Sequence, residues 1–146
     1  MDKKSIKGTR TEVNLLKSFA GESQARGRYT IFAEVAREEG YEQIAAIFME
    51  TAEQEFAHAK NFFSYLDEGM LEIQASYPAG PVGDTARNLA EAAAGEHEEW
   101  ADMYVEFARV AREEGFTAIA KLFENVAVVE QGHEARYLKL LSRMEA

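Results

Sequence analysis

Cysteine is absent from this chain, and proline occurs only at Pro78 and Pro81. The first absence excludes disulfides, thiolate nucleophiles, cysteine-type zinc sites and ordinary iron–sulfur ligation. The second leaves long stretches with nothing to break a helix. No apolar run approaches the roughly 18–20 residues that span a bilayer. The opening segment MDKKSIKGTRTE contains no apolar signal-peptide core. Basic residues are also scarce: 16 Lys and Arg stand against 26 Asp and Glu, a formal net charge of -10. Such an acidic chain argues against nucleic acid and anionic membranes as partners. A cytoplasmic location is the expectation.

What is abundant is Ala, Glu, Leu and Phe, a helix-forming mixture in a length that suits one domain, residues 1–146. Glycine and capping residues divide it into four helices at about 11–39, 41–68, 84–114 and 116–144, with Thr11 and Asp84 as N-caps and Gly40, Gly69 and Gly115 as stops. The short links at Gly40 and Gly115 predict two helical hairpins. The irregular stretch 69–83 is long enough to cross the length of a bundle. The expected fold is all-α: a four-helix bundle of two hairpins joined by one long crossover, which is the ferritin-like arrangement.

The hairpins are repeats of one another. Tyr29, Phe32, Ala33, Val35 and the run Ala36-Arg37-Glu38-Glu39-Gly40 recur 75 residues later as Tyr104, Phe107, Ala108, Val110 and Ala111-Arg112-Glu113-Glu114-Gly115. The same offset carries Ile44, Phe48, Ala52, Glu55 and His58 onto Ile119, Phe123, Ala127, Glu130 and His133. Nearer the start, Ala20-Gly21-Glu22 maps onto Ala94-Gly95-Glu96 with an offset of 74. One extra residue therefore lies between Glu96 and Tyr104. A helix can absorb a single residue as a π-bulge, a local i→i+5 turn. The bulge is expected near Glu98, Glu99 and Trp100, where it would rotate Glu99 toward the core.

Each helix centres an acid on an otherwise apolar face. The fourth reads Ile119, Phe123, Val126, Glu130, His133, Tyr137, Leu140, and the second reads Ile44, Phe48, Thr51, Glu55, His58, Phe62, Tyr65. The first places Glu22 between Phe19 and Tyr29; the third places Glu96 between Ala93 and Met103. A lone Glu-x-x-His is a weak signal, because i and i+3 are simply neighbours on a helix. Four equivalent buried acids with two histidines are a strong one. Unpaired carboxylates cost several kcal/mol each to bury and repel one another, and no Lys lies on these faces. Metal cations satisfy them. The inventory is Glu22, Glu55, Glu96, Glu130 and the fifth carboxylate Glu99, with His58 and His133. Oxygen-rich sites with about one nitrogen per metal suit iron or manganese, and zinc less well. Without metal, the carboxylates are expected to have raised pKa values.

The segments Lys7-Gly8-Thr9-Arg10-Thr11-Glu12, Phe19-Ala20-Gly21-Glu22-Ser23-Gln24-Ala25-Arg26, Glu53-Gln54-Glu55-Phe56-Ala57-His58-Ala59, Ala94-Gly95-Glu96-His97-Glu98-Glu99-Trp100 and Glu130-Gln131-Gly132-His133-Glu134 resemble the rubrerythrins. The resemblance covers essentially the whole chain. It implies a non-haem protein with two iron ions, with manganese or zinc as substitutes, that reduces hydrogen peroxide to water in oxidative-stress defence. It implies Glu55 and Glu130 as bridging ligands, Glu22 on one metal, and Glu96 with His133 on the other. Glu99 and His58 would alternate on the first metal as its redox state changes. Tyr29 and Tyr104 resemble the tyrosines that hydrogen-bond ligand carboxylates, so catalysis is expected to involve Glu99, His58, Tyr29 and Tyr104. His97, next to Glu96, is read as a surface histidine.

Rubrerythrins usually carry a second domain whose iron is held by four cysteines, for which this sequence has no residues. The expectation is a stand-alone domain or a part of a longer protein. In either case the electrons come from a separate donor such as rubredoxin, and the chain forms a homodimer or higher homo-oligomer. Two rivals use the same bundle: a ferroxidase or iron store of the ferritin type, and a metal-free structural bundle.

Overall fold

The computed structural model describes residues 4–145. Five α-helical segments build four rods: α1 Arg10–Glu38, α2 Glu42–Ser64, α3 Thr85–Glu98 continued through a π-helical segment Glu99–Met103 into α4 Tyr104–Glu113, and α5 Thr117–Glu145. α1 packs along α2, and the α3–π–α4 rod packs along α5. The two hairpins meet where α1 faces α3 and α4, and where α2 faces α5. This is the ferritin-like four-helix bundle.

Each hairpin turns on a glycine in the left-handed region, Gly40 at φ 88° and Gly115 at φ 87°. The same hydrogen-bond pair closes both helices: Tyr41 N to Ala36 O at 2.8 Å with Gly40 N to Arg37 O at 3.1 Å, and Phe116 N to Ala111 O at 2.8 Å with Gly115 N to Arg112 O at 3.1 Å. That is a Schellman motif, and it uses orphan carbonyls that a straight helix end leaves free.

Two boundaries differ from expectation. The N-cap of α1 is Thr9, whose hydroxyl accepts from Glu12 N at 3.0 Å. Thr11 is instead buried in the first turn, where its amide and hydroxyl donate to Glu114 Oε1 at 2.8 and 2.5 Å. The repeat does the same at the other end: Thr85 donates from amide and hydroxyl to Glu39 Oε1 at 2.9 and 2.6 Å. Each hairpin turn thus contributes a carboxylate to the positive N-terminus of the other hairpin's first helix.

The second boundary is the end of α2, which stops at Ser64 rather than near Glu68. Past Phe62 the buried stripe runs out. Tyr65 is exposed, while Leu66 packs back onto the core. Tyr65 N and Leu66 N close a tighter turn on Phe62 O and Phe63 O, and Lys7 Nζ holds the Glu68 carbonyl. The crossover therefore begins at residue 65. Tyr77 anchors it on α1 by donating to Lys17 O at 2.9 Å.

The core consists of two aromatic clusters that the repeat makes equivalent. One holds Tyr29, Phe32, Phe48 and Tyr137; the other holds Tyr104, Phe123 and Phe62, with Phe107 against it. The equivalent pairs Phe48–Tyr137 and Phe62–Phe123 both have ring centroids 5.3 Å apart. These apolar layers flank the acidic layer of the bundle. Among the described residues, no helix is long and apolar enough to cross a membrane.

Candidate metal centre

Between the aromatic layers, the four rods bring six of the predicted ligands together. Glu22, Glu55, His58 and Glu130 form one group, and Glu55, Glu96, Glu130 and His133 form another, the ligand atoms of each lying within 4.8 Å of one another. Glu55 and Glu130 belong to both. The four glutamates have no measurable exposure, and His133 is also buried. His58 Nδ1 lies 3.1 Å from Glu130 Oε1 and 3.6 Å from Glu22 Oε2. His133 Nδ1 lies 3.1 Å from Glu55 Oε1 and 3.4 Å from Glu96 Oε1.

Whether these residues fit metal ions is tested by their own hydrogen bonding. Among the described residues, nine buried side-chain nitrogen or oxygen atoms have no hydrogen-bond partner, and eight of them belong to these six side chains. They include both oxygens of Glu55, both of Glu130, and Nδ1 of each histidine. Buried polar atoms are otherwise nearly always paired. Lone pairs converging from four carboxylates and two imidazoles are what two divalent cations satisfy, in both charge and coordination.

The remaining oxygens are spoken for. Tyr29 OH donates to Glu96 Oε1 at 2.5 Å, and Tyr104 OH donates to Glu22 Oε1 at 2.5 Å. Burial, reinforced by neighbouring tyrosine and carboxylate charge, pushes both phenols well above 10.0, so they remain donors. His133 Nε2 meets Gln54 Oε1 at 2.5 Å, a partner that sequence reasoning missed.

In the absence of cations, protons take their place unevenly. Burial, then the Glu22 and Glu130 charges, pushes the Glu55 carboxyl well above 4.5. Burial works against a charge on His58, but the carboxylates of Glu130 and Glu22 beside it outweigh it and push the imidazole up to about 9. Glu130 departs from the expectation of uniformly raised carboxyls. Burial would raise it, yet His133 and His58 beside it hold it below 4.5.

Glu99 stands apart from both groups. It begins the π-helical segment, which occupies the place where the repeat offset changes from 74 to 75. The first rod has no such segment in α1. The π turn directs Glu99 to a cavity of about 370 Å³ that it lines with Gln24, Tyr29, Tyr77 and Phe107. It is partly buried there. Burial and the Glu22 charge push its carboxyl well above 4.5, with Arg28 acting in the opposite direction. On the outer side of the same segment, Trp100 Nε1 donates to Glu134 Oε1 at 2.6 Å. The exposed His97 places Nδ1 3.0 Å from Glu134 Oε2. The sequence places Glu134 at the end of the fourth-helix motif but assigns it no role. It follows the predicted ligand His133, and only the packing of α5 on the π segment reveals its contacts.

The family model for rubrerythrin matches residues 13–141. The rubrerythrin of Porphyromonas gingivalis is 65% identical over 142 residues, which is 97% of this chain and 71% of that protein. The rubrerythrin of Nitratidesulfovibrio vulgaris is 55% identical over 135 residues, 92% of this chain and 71% of that one. Among solved structures, fully reduced, all-ferrous nigerythrin superposes with a TM-score of 0.80 at 34% identity, covering 99% of this chain and 72% of that chain. Symerythrin from Cyanophora paradoxa superposes with a TM-score of 0.80 at 24% identity, covering 99% and 90%, and shares the fold. With the family model spanning the four rods that carry the two ligand groups, the chain belongs to the rubrerythrin family.

Proposed function

We propose that this protein is a non-haem di-iron peroxidase that reduces hydrogen peroxide to water, with electrons from a separate donor protein such as rubredoxin. The observation that carries the reading is a pair of candidate ligand groups sharing Glu55 and Glu130, with a cavity lined by the acid Glu99 and by Tyr29, which donates to Glu96 of those groups. Glu22, Glu55 and Glu130, with His58 or Glu99, would hold one ion; Glu55, Glu130, Glu96 and His133 would hold the other. Two divalent ions balance the charge of the four glutamates of the two groups. Held there in the ferrous state, two ions would supply the two electrons that, with two protons, turn one hydrogen peroxide into two waters.

The chain's own residues do the rest. Tyr29 and Tyr104 hold Glu96 and Glu22 in one orientation across the bundle. The aromatic layers keep bulk water from the acids, which strengthens every electrostatic contact between them. The cavity beside Tyr29 and Glu99 admits a molecule the size of peroxide, and the Glu99 carboxyl, which burial and the Glu22 charge push up, faces it as the acid that would exchange protons there. The reading carries with it a cytoplasmic location and a homodimer or higher homo-oligomer. Its test is anaerobic reduction of iron-loaded protein, followed by stopped-flow mixing with hydrogen peroxide or with oxygen. Oxidation by peroxide much faster than by oxygen supports it. Preferential reaction with oxygen and growth of a ferric mineral in a large shell would replace it with iron storage.

A further inference from the structure

The two histidines of the metal centre occupy equivalent places in the repeat, yet their outer nitrogens are treated differently. His133 turns Nδ1 toward Glu55, Glu96 and Glu130, at 3.1, 3.4 and 3.8 Å, and its Nε2 lies 2.5 Å from Gln54 Oε1. His58 turns Nδ1 toward Glu130, Glu22 and Glu55, at 3.1, 3.6 and 3.9 Å. Among the described residues no hydrogen bond reaches its other nitrogen. The cause lies one residue before each bridging glutamate. Gln54 precedes Glu55, whereas the repeat places Val129 before Glu130. An aliphatic side chain has nothing to offer an imidazole N–H.

We propose that Gln54 is a positioning residue that locks His133 onto its metal, and that Val129, its counterpart, leaves His58 free to reorient. This rests on the two-metal reading above. An imidazole binds a metal through one nitrogen only if the other carries the proton, and a fixed acceptor there sets both tautomer and ring angle. The Gln54 amide oxygen is that acceptor. The opposite amide orientation would leave the proton on Nδ1, pointing at three carboxylates where a cation belongs. Gln54 and His133 sit on α2 and α5, rods of different hairpins that touch each other, so the lock also ties the hairpins together at the depth of the centre. His58 lacks such a tie, and its side chain is 12% exposed against 6% for His133. The near-symmetric repeat thereby acquires one fixed and one movable imidazole.

Cobalt(II) serves as the probe, because it reports on affinity and also shifts the imidazole N–H signals of its ligands in proton NMR. Parent protein and the variants Gln54→Leu, Gln54→Glu and Val129→Gln are titrated against a chromophoric chelator, and exchange of the shifted N–H signals with water is measured. The parent should show one slowly exchanging N–H. In Gln54→Leu it should exchange rapidly, and one of the two cobalt affinities should fall about tenfold while the other holds. Gln54→Glu keeps an acceptor and should restore both. Val129→Gln should add a second slowly exchanging N–H, from His58. Slow exchange and unchanged affinities in Gln54→Leu would overturn the assignment while leaving the metal centre standing. A parent protein that takes up no cobalt overturns the proposed function along with it. If Gln54→Leu loses its helical circular dichroism, Val129→Gln decides: no second slow N–H refutes the proposal.

Discussion

Tyr104 donates its hydroxyl proton to Glu22 Oε1 across the bundle, from the start of α4 to the middle of α1. Its repeat counterpart Tyr29 does the reverse, from α1 to Glu96 on α3. The two bonds stitch the hairpins together on both sides of the metal centre and leave one oxygen of each glutamate free for an ion. Tyr104→Phe keeps the ring packing and removes only the donor. It should lower metal affinity about 10–100-fold and destabilise the metal-free protein by about 1–3 kcal/mol. Chelator competition and chemical denaturation measure the two effects. An unchanged affinity would show that the bond does not position Glu22.

Glu55 and Glu130 belong to both ligand groups, whereas His58 belongs to one. Glu55→Ala or Glu130→Ala should therefore reduce bound metal from two ions toward none. His58→Ala should leave the oxidised protein loaded and slow the reaction of the reduced protein with peroxide. Metal analysis beside stopped-flow absorbance checks this. If His58→Ala reacts as the parent does, the exchange of Glu99 for His58 is wrong.

The metal-free protein should lose stability as pH rises from about 6 to 9. Glu55 and His58 both have folded pKa values above their ordinary 4.5 and 6.5, with His58 at about 9. In the folded chain they hold protons that the unfolded chain has released. Their contribution is complete below the unfolded values and disappears as pH rises through the folded ones. Glu130, held low by the two histidines, has the opposite sign: its contribution is present above 4.5 and is lost as pH falls. Melting temperatures in the presence of chelator should thus fall toward pH 9, and bound divalent metal should flatten the curve. A flat curve without metal would contradict the proton-for-metal substitution.

Glu39 and Glu114 each accept two hydrogen bonds from a threonine of the other hairpin. The Thr11 and Arg10 contacts outweigh burial and hold the Glu114 carboxyl below 4.5. Glu114→Ala should cost about 1.5–3 kcal/mol, the worth of hydrogen bonds to a charged group. The loss should vanish as pH drops below the folded pKa, because the parent is then protonated as well. Urea melts of both proteins at neutral and acid pH measure it.

Deleting Ala101 from the π segment should restore a continuous α-helix, because the spacing from Glu96 to Tyr104 then equals that from Glu22 to Tyr29. The six clustered ligands should still bind two metals, while Glu99 turns away from its cavity. Metal content near that of the parent with much slower peroxide turnover is the expected result. Unimpaired turnover would remove Glu99 from the mechanism.

The repeat, the apolar seams and the buried acids were legible because they are periodic. A helix places every third or fourth residue on one face whatever it later packs against. That periodicity determined the four rods, the six clustered ligands and, through the change of offset, the π segment. It did not determine that Thr9 caps α1, because Thr11 is engaged by Glu114, more than a hundred positions along the chain. Nor did it reveal Gln54 beside His133 or Glu134 beside Trp100. Each of those contacts joins different helices, and at least one of its two residues lies off a buried seam. The sequence by itself determined which residues share a face. Only the tertiary structure decided which faces meet and at what depth, and with that which histidine meets Gln54 and which cavity Glu99 lines. Those outcomes depend on distances between rods, and helical periodicity carries no information about them.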